Sequence, residues 1–249
     1  MLITGAASDI GRSTALRLAG LGHRVVASGP DEEALNALQE DARGRGLDRR
    51  LDTMPLDVAD SVSVTRAARA FCWRLGAPDV LVNNAEVSVA GPLELVDDRD
   101  LREQFETNVF GLMAVTRAFV PAMRERGSGR ILNVSSRSGR AAAPLRGPDH
   151  ASTRAVEALS HALRVELARY GVKVVVVHPD AAPERVARVI ERAIGAHRPP
   201  ARYMSASNRL LLGTWAELPT RLADAVERGL GCRWGCRARP EAIPPPGAG

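Results

Sequence analysis

Thr4-Gly5-Ala6-Ala7-Ser8-Asp9-Ile10-Gly11 joins a short apolar run, Leu2–Thr4, to an amphipathic helical pattern over Gly11–Leu21. The same alternation continues down the chain. Runs rich in β-branched and apolar residues recur at Arg24–Ala27, Leu51–Asp57, Val80–Asn83, Arg130–Ser135 and Lys173–His178. Helical patterns fill the gaps at Asp31–Gly44, Asp60–Leu75, Asp98–Arg126 and Asp149–Tyr170. Strands separated by helices pair in parallel, because only a crossover returns the chain to the same edge. Right-handed crossovers then predict an α/β fold, a doubly wound parallel sheet with helices on both faces.

Composition narrows the function. With 249 residues, 45% hydrophobic and 25% charged, the chain can bury a full core and is not a disordered protein. The net charge is +5, yet one lysine, Lys173, stands against 33 arginines, and acids are interleaved throughout. That pattern is unlike a nucleic-acid-binding arm. The longest aliphatic run, Val174–Val177, is far too short to span a membrane. Three cysteines give no disulfide framework, and Cys232-x-x-x-Cys236 lacks the second pair that a metal site needs. These features predict a protein of the reducing cytoplasm with no metal site and no nucleic-acid or membrane partner. The chain opens directly on Met1-Leu2-Ile3, so no signal peptide is expected. One domain is expected over 1–230, followed by a loose tail over 231–249 that carries Pro244-Pro245-Pro246.

The opening stretch resembles the glycine-rich dinucleotide loop of the short-chain dehydrogenase/reductase family. Further motifs follow in the family's order: Leu56-Asp57-Val58, Asn83-Asn84-Ala85, Asn108 within Thr-Asn-Val-Phe-Gly, Asn133-Val134-Ser135-Ser136, and His150-Ala151-Ser152-Thr153-Arg154. The resemblance covers residues 1 to about 180 and implies a single-domain Rossmann-type sheet. It also implies NAD(P) held by Gly5, Ser8, Ile10, Gly11, Asp57, Val58, Asn83 and Ala85. Glu184–Ala196 and Ala201–Met204 resemble the family's last helix and seventh strand.

The departures carry the functional expectation. Asp9 stands where the loop's middle glycine belongs, the residue that lets backbone approach a pyrophosphate. Glu86 replaces the glycine of Asn-Asn-Ala-Gly, and Asp180 the glycine after Pro179. No arginine follows the second strand to take a 2′-phosphate; Pro30 and Asp31 stand there, so NAD is favoured over NADP, with Asp31 also placed to cap the next helix. His150 is read at the family's tyrosine and Arg154 at its lysine, while Ser136 and Asn108 match the serine and the relay asparagine. Residues four apart share a helix face, so His150 and Arg154 are expected to act together, the guanidinium favouring a neutral imidazole. The lid that the family places after the sixth strand is cut to residues near 180–183; the later segment Ala201–Leu230 is placed to cover the cleft, and within it Leu210-Leu211-Leu212, Trp215 and Leu218 form an apolar stretch expected as a core or oligomer-facing helix.

Three functions fit. The leading expectation is a repurposed enzyme for a small carbonyl substrate, with weakened or lost NAD(P) binding. Its non-redox acid/base chemistry would be a cyclisation, dehydration, isomerisation or aldol-type step. His150 would be the base, Ser136 and Asn108 would bind oxygens, and Arg154 would hold the anion. The alternatives are an NAD(P)-dependent ketone/alcohol oxidoreductase with an atypical site, and a non-catalytic binder or partner subunit. The resemblance further implies a homo-dimer or homo-tetramer, or a hetero-oligomer with an active paralogue, built through the two long helices.

Overall fold

Apolar runs only two to seven residues long become the strands of one sheet. In the computed structural model, which describes residues 1–135, 144–179 and 182–204, seven strands form a wholly parallel sheet in the order β3-β2-β1-β4-β5-β6-β7. They are β1 Leu2–Ile3, β2 Val25–Gly29, β3 Leu51–Pro55, β4 Val80–Asn83, β5 Gly129–Val134, β6 Val172–His178 and β7 Arg202–Met204. The helices are α1 Asp9–Gly20, α2 Glu32–Gly44, α3 Ser61–Leu75, α4 Asp98–Phe105, α5 Leu112–Arg126, α6 Gly147–Ala168 and α7 Pro183–Gly195. Nearly all the boundaries read from sequence hold to within a residue or two.

Continuous burial of β2, β4 and most of β6 reflects cover on both faces, which is why their sequences run apolar rather than alternating. Ala15, Leu18, Leu38, Val186 and Ile190 pack α1, α2 and α7 on one face. Val64, Phe71, Val115, Phe119 and Leu167 pack α3, α5 and α6 on the other, where Phe71 meets Phe119 edge to face. The order in which successive strands are added reverses between β1 and β4, and a crevice opens at the carboxyl ends of the strands there.

Two local expectations change. The single helix over Asp98–Arg126 is broken by a π-helical stretch, Glu106–Gly111, between α4 and α5. It brings Gly111 against the backbone and side chain of Val58, where a Cβ would overlap, and aims Asn108 at the loop after β4. Helix α6 begins two residues before the expected Asp149, with Arg146 at the capping position and Pro148 in the first turn. Asp149 thus lies in the first turn, and it is wholly buried. The reading of Asp31 holds, since its Oδ1 accepts from Glu33 N and Ala34 N at 2.9 and 3.1 Å. The lid residues Asp180 and Ala181, the apolar stretch from Leu210 to Leu218, Cys232, Cys236 and the 231–249 tail lie outside the described residues.

Candidate active site

The crevice holds a cavity of about 750 Å³ at the ends of β1 to β4. Its walls include Gly5, Ser8, Asp9 and Ile10 from the first loop, Pro30 and Asp31 after β2, Asp57 and Val58 after β3, and Asn84 to Ser88 after β4. Glu103, Thr107, Arg146 and Pro183 complete it.

The first loop is held by its own contacts. Gly5 has a φ of 61°, and a Cβ there would come within 2.6 Å of Ala85 Cα. A Cβ on Gly11 would overlap the Gly5 carbonyl and Ala6 Cα. Ser8 caps α1, its Oγ accepting from Gly11 N at 3.3 Å and donating to Gly5 O at 2.8 Å. Asn84 Nδ2 adds bonds to the Thr4 and Gly5 carbonyls and to Ser8 Oγ. Both retained glycines are thus demanded by protein–protein contact. Asp9, the first residue of α1, is exposed and faces the cavity beside a helix N-terminus, where its charge is favourable to the helix.

The wall after β4 is fixed from α4 and the π-helical stretch. Asn108 donates from Nδ2 to Val87 O and accepts at Oδ1 from Val87 N, both at 2.8 Å. Gln104 Oε1 accepts from Val89 N at 3.0 Å, and its Nε2 donates to Ser152 Oγ at 3.2 Å. Ser152 in turn donates to Asp149 O at 3.0 Å. Asn108 was expected in a proton relay; its amide is committed to holding this loop. Gln104 and Ser152 were missed by the sequence reading, although Gln104 lies one helical turn before Asn108 and shares its face.

Asn83, expected among the cofactor ligands, points away from the cavity. Its Nδ2 bonds Thr116 Oγ1 and Asn133 Oδ1, and Asn133 Nδ2 reaches Ser160 Oγ at 2.7 Å. That last bond defines which side of α6 meets the sheet. At 3.6 residues per turn, Asp149 and Thr153 lie within about 20° of Ser160, whereas His150 and Arg154 lie about 80° and 120° round the helix. Exposure agrees: Asp149 is 0% exposed and Thr153 5%, while Arg154 is turned out to solvent. His150 is buried at 5% exposure, so it is no surface residue of the first turn, and neither it nor Arg154 lines the cavity. Ser136 lies outside the described residues.

Electrostatics set the cavity apart. Among the described residues, Asp9, Asp31, Asp57, Glu86 and Glu103 line it against a single cation, Arg146. Arg146 Nη2 donates to Asp149 Oδ2 at 3.0 Å. Glu86 stays open to solvent at the mouth while the walls crowd it. Desolvation and the Asp149 carboxylate push its carboxyl above the ordinary range, with Arg146 pulling the other way. The imidazole of His150 is lowered, first by burial and then by Arg146 and Arg154, against the pull of Asp149. A neutral imidazole was expected from Arg154 alone; burial is the larger cause. Among the described residues no cluster of three metal-ligating side chains exists, and no helix is long and apolar enough to cross a membrane.

Comparison with known proteins agrees with this architecture. The short chain dehydrogenase family model matches residues 1–190. A 3-ketodihydrosphingosine reductase of Bacteroides thetaiotaomicron is 35% identical over 179 residues, covering 72% of this chain and 62% of that protein. A short-chain dehydrogenase from Streptomyces avermitilis superposes with a TM-score of 0.80 at 30% identity, over 94% of this chain and 98% of that one. A metagenomic short-chain oxidoreductase in complex with NADP gives a TM-score of 0.76 at 27% identity, over 82% and 94%. The chain spans about three-fifths of the length of curated relatives that it matches. With motif order, sheet topology and family match in agreement, the chain belongs to the short-chain dehydrogenase family.

Proposed function

We propose that this protein is an oxidoreductase that moves a hydride between a nicotinamide dinucleotide and a small carbonyl or alcohol compound, holding the dinucleotide weakly. The observation that carries the reading is the cavity at the β1/β4 reversal, walled by Gly5 to Ile10, Asp57-Val58 and Asn84-Ala85. The reductase among its relatives supports redox chemistry over the non-redox alternative.

The walls fit such a cofactor in shape. Gly29, Leu56, Val58 and Ala85 offer small or apolar surfaces to a flat ring, and Asp31 places a negative charge where a 2′-phosphate would otherwise sit. That favours NAD over NADP. Gly5, Ser8 and Ile10 would border the phosphates. The misfit is electrostatic: the Asp9 carboxylate shares that helix N-terminus. When bound, the nicotinamide supplies or takes the hydride. The chain itself sets the wall at Val87 through Asn108, and presents acid groups and one guanidinium to the substrate.

Titration with NADH and NADPH, followed by nicotinamide fluorescence, tests the reading. NADH is expected to bind more tightly than NADPH, and a panel of ketones and aldehydes should then show NADH oxidation. Failure of both nucleotides to bind at millimolar concentration overturns it. The second reading, non-redox acid/base work on a carbonyl compound, is favoured by the five carboxylates of the cavity. Turnover of a carbonyl compound without nucleotide would select it.

A further inference from the structure

Arg146 stands alone. It is the one cation among the described residues that line the cavity, and it is anchored from behind. Its partner Asp149 has a side chain only 1% exposed, while 46% of Arg146's own side chain is open to solvent. The carboxylate thus holds one edge of the planar guanidinium and leaves the rest facing the cavity. A guanidinium so fixed matches a second carboxylate in geometry as well as charge. Glu86 borders the same cavity. It is carried on a rigid wall, because the next residue, Val87, has both its N–H and its carbonyl bonded to Asn108.

We propose that Arg146, braced by Asp149, is the anchor for the carboxylate of a small anionic substrate, a keto or hydroxy acid, and that Glu86 must carry a proton when that substrate is bound. The inference deepens the oxidoreductase reading and rests on its carbonyl substrate. The remaining cavity acids confine a monoanion to Arg146 and oppose a dianion such as a phosphate ester. The charges acting on Glu86 are Asp149 in the first turn of α6 and Arg146 at its capping position; Glu103 from α4, Asp9 from the first loop, and Asp31 and Asp57 after β2 and β3 line the same cavity. A second carboxylate arriving beside Glu86 raises its affinity for a proton further. Binding therefore takes up a proton, and affinity falls as pH rises. The bound acid's keto oxygen lies within the same cavity as the protonated Glu86 carboxyl, which can donate a hydrogen bond to it.

The test needs no nucleotide, so it separates this proposal from the reading it rests on. Levulinate and 2-oxobutanoate serve as probes and 2-butanone as the uncharged control, with binding followed by ligand-observed NMR on the full chain between pH 5 and 8. The keto acids are expected to bind at least 10-fold more tightly than the ketone at pH 5, and progressively less tightly toward pH 8. Arg146→Ala should erase that preference and Arg146→Lys should reduce it, both with thermal melting checked. Glu86→Gln should keep the preference and flatten its pH dependence. Equal binding of charged and neutral probes overturns the proposal. So does an unchanged preference in folded Arg146→Lys and Arg146→Ala, or an unchanged pH profile in Glu86→Gln. NADH binding without keto-acid preference would leave the oxidoreductase reading standing and this anchor refuted.

Discussion

Replacing Asp9 by glycine should tighten dinucleotide binding while slightly weakening the fold. Asp9 is the first residue of α1, exposed at the cavity wall, and it is not the cap: Ser8 Oγ already accepts from Gly11 N. Its carboxylate gives the helix about 0.3–1 kcal/mol through the dipole. Glycine adds a few tenths in lost helix propensity. Thermal midpoint should therefore fall by roughly 1–5 °C in a chain of this size. Against a bound phosphate the same carboxylate is repulsive. Two like charges about 4 Å apart cost about 1 kcal/mol in bulk water and about 4 kcal/mol at an effective dielectric near 20. Exposure places Asp9 near the lower figure, so about 1–2 kcal/mol, or roughly 5- to 30-fold in Kd, should be recovered. Asp9→Asn removes the charge and keeps the bulk, so it should recover most of that gain if repulsion dominates and little if the side chain is a steric block. Salt gives an independent signature. The screening length shrinks from about 10 Å at 0.1 M to about 3 Å at 1 M, so the ratio of parent to Asp9→Asn affinities should close toward unity. NADH titration by fluorescence at three salt concentrations, with melting curves alongside, measures all of this. If neither variant binds NADH more tightly than the parent, the assignment of Asp9 as the obstacle is refuted.

Asn108→Leu should cost about 2–4 kcal/mol, because Val87 N–H and C=O lose their partners in a half-buried loop, at about 1–2 kcal/mol each, the low end of the range for an unsatisfied buried group. The melting temperature should drop by roughly 5–15 °C, and a change under 2 °C would contradict the structural role given to that amide. For His150, the folded pKa lies below the unfolded value near 6.5. The unfolded chain therefore binds the proton first, and this residue's stabilisation is complete above about pH 6.5 and lost as pH falls below it. His150→Gln should accordingly flatten the fall in melting temperature between pH 7 and 5; an unchanged slope would show that the ring titrates freely. Phe110, 56% exposed on the π-helical stretch, and Val165, 61% exposed on α6, lie on the helices expected to associate. Arginine at both positions should shift a dimer or tetramer toward monomer in light scattering, and an unchanged mass would place any interface elsewhere.

The sheet was legible because its signals are local. β-branched runs such as Val80–Asn83 and Lys173–His178 carry their own period, and Asp31 announces the helix that it caps. The family motifs located the cavity for the same reason: Gly5, Asp57 and Ala85 follow the carboxyl ends of β1, β3 and β4. What sequence could not give was which side of a helix faces inward. The Asn133–Ser160 bond, with the burial of Asp149 and Thr153, sets the rotation of α6 about 100° from the face that His150 and Arg154 share. The π-helical stretch was invisible for a related reason, since the contact it makes, Gly111 against Val58, joins residues far apart in sequence. Arg146 lay in a loop with no periodicity to mark it. Asn83 and Asn84 are chemically identical, yet adjacent strand-end positions face opposite ways, so one buttresses helices while its neighbour lines the cavity.

The packing around Gly5 and Gly11 has an evolutionary consequence. Selection for a folded chain preserves both glycines whether or not any ligand is ever bound, because each substitution drives a side chain into the protein's own backbone. Position 9 answers to no such constraint and is free to follow the ligand. Among proteins built this way, the outer glycines record ancestry, and the residue between them records present use.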